Sequence, residues 1–251
     1  MRAHIASVDT IGARAFRDDF LLARRPLVLR GAARAMPAFE RWTDGYLTKL
    51  LGDALTVVRF ADGSRARMRF ADYLGYVAEP DAYRSKRGAP YMVDFQFRRL
   101  CPALADDAPC PLPLEEGDLF ASLPEHVRPE LCWLYAGPAG TGSKMHQDTL
   151  CTHAWLAQLR GHKRWTMYAR DDFEPTRGPR AGAIAAEAVL GPGDVVFVPS
   201  LTWHAVENVG PSVAVTANFC DASVAADAIA DARARGHAGF ADALGERMGA
   251  R

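Results

Sequence analysis

The triplet His146-Gln147-Asp148, answered far along the chain by His204, constrains this sequence more than any other feature. Two imidazoles and one carboxylate are the ligand set of a facial triad, which leaves the other positions of a metal open. Residues i and i+2 of a β-strand point to the same face, so one strand presents His146 and Asp148 to one ion. The third ligand must then arrive on a different strand, which suits a closed β-barrel with the metal inside. His204 ends the run Gly-Pro-Gly-Asp-Val-Val-Phe-Val-Pro-Ser-Leu-Thr-Trp-His over 191–204, whose stretch from Asp194 to Pro199 reads as a strand. A bare His-x-Asp arises often by chance, so the case rests on its surroundings.

The order of elements supports a barrel in the second half of the chain. Phe16, Phe20 and Leu21 recur at helical spacing between Thr10 and Ala23, and Arg25-Pro26 ends that helix. Residues 26–30 read as a short strand closed by Gly31. A helix spans Trp42 to Leu51, capped by Thr43 or Asp44 and stopped by Gly52. Strands at 55–60 and 67–70 flank the Asp62-Gly63 turn, a helix follows over 71–77, and Tyr91 to Phe95 is a further strand. Residues 101–129 are rich in proline and acid, with a short helical piece near 118–122. They form a connecting loop that can shape an entrance.

From Glu130 to Cys220 the texture changes to short alternating strands with Gly-Pro turns, the pattern of a barrel or sandwich. Strands are expected at 131–136, through His146 and Asp148, at 194–199 and at 213–219. Residues 154–159 and 164–168 read as a hairpin around Arg160-Gly161-His162-Lys163. His204 begins the next turn of the barrel. Residues 224–248 are Ala-rich and read as one or two helices. The economical division is one domain: lead-in and loop over 10–129, metal-binding barrel over 130–220, helical tail over 221–251.

Composition excludes several classes. With 251 residues, 49 % of them hydrophobic, the chain can bury a full core. Thirty basic and 30 acidic residues cancel, so no global field draws nucleic acid or an anionic membrane. Five cysteines, odd in number and never in Cys-x-x-Cys, argue against a disulfide framework and a zinc knot. No signal-like apolar run opens the chain and no stretch is long enough to span a bilayer, so the cytoplasm is the expected setting.

Several groups beyond the triad bear on its chemistry. Lys163 sits in Gly-His-Lys-Arg-Trp beside a turn; a dicarboxylate co-substrate needs one cation for its far end, and a buried lysine serves as that charge. A surface lysine after a turn is the competing reading, favoured when Lys163 is taken alone. Ala214, Thr216 and Asn218 share one strand face, which is either an interior that binds a carboxylate or a solvated face. Tyr91 can reach the pocket with its phenol or simply pack in the core. Ser143 can contribute or merely cap a turn. His153 can line the substrate side, although ordinary packing is the stronger reading. His4, His126, His162 and His237 have no second ligand at metal spacing.

Together these motifs resemble the Jumonji-C, cupin-like family of Fe(II)- and 2-oxoglutarate-dependent oxygenases. Gly-Pro-Ala-Gly-Thr-Gly-Ser-Lys-Met-His-Gln-Asp over 137–148, with Thr-His-Ala-Trp-Leu-Ala-Gln-Leu-Arg-Gly-His-Lys-Arg-Trp over 152–165, looks most like the lysyl-hydroxylase branch. Gly-Pro-Gly-Asp-Val-Val-Phe-Val-Pro, Trp203-His204 and the Thr-x-Asn-Phe of 216–219 are similarly family-like. The resemblance covers most of residues 10–220. It implies an all-β core with α additions: a double-stranded β-helix (jelly-roll, cupin) barrel with an N-terminal α/β lead-in and C-terminal helices. It further implies that His146, Asp148 and His204 hold Fe(II), that Lys163 and Thr216 take the distal carboxylate of 2-oxoglutarate, and that Tyr91, Ser143 and Asn218 line the same pocket. No catalytic residue beyond the metal ligands is implied. One departure stands out: the residue after Ala154-Trp155 is often Asn in that branch and is Leu156 here, so lysine hydroxylation does not simply carry over.

The reaction so implied uses O2 and 2-oxoglutarate to hydroxylate a C–H, releasing succinate and CO2. A protein or peptide side chain is the first choice of substrate, a free amino acid or natural-product intermediate the second, and N-demethylation the third. From another class, a metal-binding cupin without oxygenase activity, or a sensor, has no need of the Lys163–Thr216 pair. Neither nucleic acid nor membrane is an expected partner. The helical tail could form a homodimer, although its mostly Ala stripe buries little area.

Overall fold

The computed structural model describes residues 2–83 and 86–249. The chain opens with two extended pieces, β1 (Arg2–His4) and β2 (Ala6–Val8). Helix α1 (Ala13–Phe16) runs on through a wider π-type turn at Arg17–Leu21 and buries Phe16, Phe20 and Leu21, the three apolar residues at helical spacing. Strand β3 (Leu27–Leu29) ends at Gly31, whose φ of 71° is one that glycine adopts without cost. Next come α2 (Pro37–Arg41) and α3 (Asp44–Leu51). The Thr43 hydroxyl caps α3 by accepting from the Tyr46 amide, so Thr43 rather than Asp44 is the cap. A small sheet of β4 (Leu55–Arg59), β5 (Arg65–Arg69) and, beyond α4 (Phe70–Ala78), β6 (Tyr91–Val93) completes the lead-in. Helix α5 (Phe97–Leu100) then opens the long loop.

The second half holds β7 (Cys132–Gly137), β8 (Gly142–His146), β9 (His153–Arg160) and β10 (Lys163–Tyr168). A two-residue ribbon of β11 (Phe173–Glu174) and β12 (Gly178–Pro179) precedes β13 (Ala185–Leu190), β14 (Val195–Val198), β15 (Trp203–Asn208) and β16 (Ser212–Phe219). Helices α6 (Ala225–Ala234) and α7 (Ala238–Gly249) follow. Two sheets face each other as a jelly roll, one in the order β1-β13-β10-β15-β8 and the other β2-β3-β14-β9-β16-β7. The barrel expected over 130–220 recruits three strands from before residue 30. β1 and β2 lengthen opposite sheets, and Ile5 between them is buried.

Strands β14 and β16 are buried along their whole length, because both faces of their sheet are covered. One face packs on the other sheet through Val28, Ala154, Leu156, Trp165, Met167 and Val196. The other packs on the lead-in, where Trp155, Phe197 and Phe219 meet Phe16, Leu47 and Tyr73. The tail buries its apolar side against its own chain, with Phe240 and Leu244 packed near Leu119, Phe120 and Leu150.

Residues 154–168 are not a hairpin. β9 pairs with β14 and β16, whereas β10 lies in the opposite sheet between β13 and β15. The chain turns a corner from one sheet to the other at Gly161, where φ is 71° and a Cβ would stand 2.0 Å from the Pro211 carbonyl oxygen. Strand β13, Ala-Ala-Glu-Ala-Val-Leu, carries no strong strand signal and forms because β10 and β1 flank it on both edges.

Candidate metal centre and its pocket

His146 ends β8, and its direct cross-strand partner is His204 on β15. That pairing sets the two imidazoles 4.2 Å apart between ring centroids. Asp148 lies just beyond the strand rather than within it, but its backbone stays extended at φ −68° and ψ 152°, so its carboxylate still shares the face of His146. Asp148 Oδ1 stands 3.9 Å from His146 Nε2 and 3.7 Å from His204 Nε2. One ligand atom from each of the three lies within 4.8 Å of the others.

Backbone carbonyls orient both rings. Nδ1 of His146 is 2.7 Å from the Lys144 carbonyl oxygen, and Nδ1 of His204 is 3.0 Å from that of Thr202. A neutral ring beside a carbonyl carries its proton there, which leaves the Nε2 lone pair facing Asp148. Burial pushes the His204 imidazole toward this neutral form, against the opposing pull of Asp148. Two lone pairs and a carboxylate facing one another create a demand for a cation, so the donor set fits a divalent metal. The turn after Asp148 is strained: Leu150 and Cys151 have φ of 55° and 47°. Asp231 of α6 holds it by accepting from the Leu150 amide at 3.1 Å. Gln147 turns away and donates to the Leu201 carbonyl at 2.6 Å, tying the triplet to the loop before His204.

The pocket around the cluster is lined by all five further residues singled out in the sequence: Tyr91, Ser143, Lys163, Thr216 and Asn218. Lys163 is 1 % exposed, and its ammonium donates to Asn208 Oδ1 at 2.6 Å. Burial holds its pKa down to about 7. Thr216 donates to the Trp155 carbonyl at 2.5 Å and Asn218 to Thr152 Oγ1 at 2.7 Å. The Tyr91 ring stacks on Tyr135 at 6.1 Å, and burial pushes both phenols well up. Ser143 pairs across with Val206. Because both faces of β16 are covered, the solvated alternative for Thr216 and Asn218 falls away. His153 is fully buried in the opposite face; its Nδ1 accepts from the Ser200 amide, and its Nε2 lies 3.3 Å from Asp221.

Sequence reasoning missed Tyr135, Trp165 and Asn208. Trp165 stands two residues beyond Lys163 on the same strand face, a signal the i, i+2 rule supplies. Its ring lies 5.7 Å from that of His204, and its indole N–H is buried with no hydrogen-bond partner among the described residues. Leu156, where an amide was expected from the resemblance, lines the pocket as an apolar wall.

Fold and cluster define a jelly-roll protein with a His/Asp/His centre between its sheets. Residues 13–176 match the cupin-like domain family, and the chain belongs to that family. The match takes in His146, Asp148 and Lys163 and stops before His204. The arginine-specific demethylase JMJ22 of Arabidopsis thaliana is 32 % identical over 88 % of this chain and 47 % of its own length. A bifunctional arginine demethylase and lysyl-hydroxylase, psr-1, of Caenorhabditis briggsae is 32 % identical over 82 % of this chain and 58 % of itself. The 2-oxoglutarate and iron-dependent oxygenase JMJD4 of Mus musculus is 24 % identical over 81 % of this chain and 57 % of itself. The Jumonji-C resemblance of the motifs is thereby borne out, and the chain spans about half the length of these relatives.

Proposed function

We propose that this chain is an Fe(II)- and 2-oxoglutarate-dependent oxygenase that hydroxylates a C–H of a protein or peptide side chain, using O2 and releasing succinate and CO2. The observation that carries the reading is Lys163, a buried cation lining the same pocket as the three metal-type donors. Met167 pairs with His204, and Lys163 is four positions back along β10, about 13 Å at strand rise. The lysine stem covers part of that span, and a five-carbon dicarboxylate suits the rest. A metal-binding cupin without this co-substrate has no use for a desolvated lysine there.

His146, Asp148 and His204 hold the iron, which when bound supplies the activation of O2 coupled to decarboxylation of the co-substrate. The carbonyl bonds at both Nδ1 atoms aim the two Nε2 lone pairs and keep the rings from turning. Lys163 takes the distal carboxylate, and Thr216 adds a hydroxyl that can turn from the Trp155 carbonyl. Ser143, Tyr91 and Asn218 complete the polar lining, while the unpaired indole N–H of Trp165 offers one more donor. Leu156 and Val206 keep water out of the pocket.

A second cleft of about 740 Å³ shares Trp155 and Asn218 with the metal pocket, and the loop over 101–129 forms much of its wall. A cleft of that size beside the centre favours a side chain presented on a polypeptide over a free amino acid. N-demethylation is the second reading, favoured by the names of two of the relatives, and begins with the same C–H hydroxylation on an N-methyl group. The balanced charge supports neither nucleic acid nor membrane as partner. Among the described residues no helix is long and apolar enough to cross a membrane. Five free thiols support a reducing, cytoplasmic setting.

The test is turnover with Fe(II), 2-oxoglutarate and O2, followed by mass spectrometry of candidate peptides. Succinate release with a gain of one oxygen supports hydroxylation, and loss of a methyl group supports the second reading. No succinate under any condition rejects the oxygenase.

A further inference from the structure

The strand that carries His204 also carries Asn208, four residues on and fully buried. Its side-chain amide is the hydrogen-bond partner of Lys163. The orientation of that amide is determined by its other end. Thr141 donates its hydroxyl proton to the Pro138 carbonyl at 2.7 Å, so Thr141 Oγ1 must act as an acceptor toward Asn208. Asn208 Nδ2 donates to it at 3.0 Å, which leaves Oδ1 facing the Lys163 ammonium at 2.6 Å. A flipped amide would set donor against donor at Lys163 and carbonyl against oxygen at Thr141. Backbone bonds clamp the same two residues together. The Asn208 amide donates to the Thr141 carbonyl and the Gly140 amide to the Asn208 carbonyl, each at 2.8 Å. Gly137 gives the side chains room, since a Cβ there would stand 2.6 Å from both Asn208 Nδ2 and Thr141 Oγ1.

We infer that Asn208, locked by Thr141, is a positioning residue for the co-substrate: a neutral amide that aims the Lys163 ammonium into the pocket without neutralising it, so that the distal carboxylate of 2-oxoglutarate becomes its counter-charge. This rests on the function proposed above. The residue type is decisive. Aspartate would fill the same space and pair with Lys163, and a lysine already paired in a buried site has little left for a second anion. Alanine would leave the ammonium free to swing and without the Asn208 oxygen to which it donates. The depressed pKa of Lys163 arises from burial alone, with no carboxylate contributing. That is the state expected of a cation whose counter-charge arrives with the ligand.

Binding is measured by calorimetry under nitrogen with Mn(II) in place of iron, so that no turnover is needed. Two probes are compared: 2-oxoglutarate, and 2-oxobutyrate, which keeps the keto acid and lacks the distal carboxylate. Asn208→Asp is expected to weaken 2-oxoglutarate by roughly ten- to hundredfold, with Thr141→Val falling between it and the wild type. Binding of 2-oxobutyrate stays unchanged in both, and Asn208→Asp melts no lower than the wild type. Wild-type affinity for 2-oxoglutarate in Asn208→Asp overturns the inference, and so does equal loss of both keto acids, which marks general damage. If Asn208→Asp does not fold, Thr141→Val and Asn208→Ser decide by the same contrast of probes. A wild-type protein that binds 2-oxobutyrate and 2-oxoglutarate equally well overturns the assignment of Lys163 as well, which separates failure of the underlying function from failure of the positioning role.

Discussion

Strands β9, β14 and β16 present two faces that share a backbone and differ in purpose. The outer face carries Trp155, Ala157, Leu159, Phe197 and Phe219 and is filled by the lead-in helices. The inner face carries Ala154, Leu156, Thr216 and Asn218, and part of it is left open as the pocket. Large apolar side chains outside bury most of the area that stabilises the sheet. Small and polar side chains inside leave space and hydrogen-bonding capacity for a ligand. A period of two thus lets one strand serve stability and chemistry at alternate residues, with neither compromising the other.

The sharpest way to break this division is at the candidate metal donors, which face the pocket from β8, β15 and the turn after β8. Asp148→Ala should abolish iron binding and succinate release while leaving the melting temperature within a few degrees of wild type; metal titration and calorimetry check both halves. A large loss of stability would mean that the cluster is structural. On the outer face the pattern should invert. Phe197→Ala removes a fully buried ring that meets Phe16 edge-on at 5.0 Å, and should cost about 3–5 kcal/mol in urea denaturation. Iron affinity of the molecules that remain folded should not change.

Lys163, on β10 of the facing sheet, tests the pocket that this inner face lines from the side of its cost. Its pKa is about 7 in the folded protein against an ordinary 10.5. Between those values the unfolded chain holds the extra proton, so stability rises with pH across that window. Lys163→Met should therefore stabilise the ligand-free protein by roughly 1–4 kcal/mol below pH 7. The gain fades as the pH climbs toward 10.5, and 2-oxoglutarate no longer saturates the variant. A destabilised Lys163→Met would show that the bond to Asn208 outweighs the cost of burying the charge. The smallest effect is expected at Trp165→Phe, which keeps the ring against His204 and removes the unpaired N–H. Affinity for 2-oxoglutarate should fall about fivefold, less than the value of one full hydrogen bond to a charge. An unchanged dissociation constant would remove the indole from the binding set.

Much of the fold is legible in the sequence. Phe16, Phe20 and Leu21, a cap at Thr43 or Asp44, the Asp62-Gly63 turn and the helix over 71–77 are all local signals, and local signals survive folding. The candidate triad is legible because three such donors in that order are rare. Lys163 taken alone reads as a surface lysine and gains its place only through the family resemblance; its burial is a tertiary fact. The hairpin read over 154–168 failed because a turn motif reports a change of direction and not which sheet receives the next strand. β13 was invisible because Ala-Ala-Glu-Ala-Val-Leu has no intrinsic strand preference, and pairing on two edges supplies what propensity lacks. Asn208 is not legible in the sequence because its hydrogen-bond partners Thr141 and Lys163 lie far away along the chain.

The sequence by itself determined the candidate donors, the cupin-like class and the alternation that sorts each strand into two faces. These follow from residue identity and a period of two, which need no knowledge of partners. Only the tertiary structure decided that both faces of β16 are buried, that the corner at Gly161 sends β10 into the opposite sheet, and that His146 and His204 become cross-strand neighbours. Burial and pairing are properties of what lies opposite, and a linear chain does not specify its neighbours until the sheets have closed.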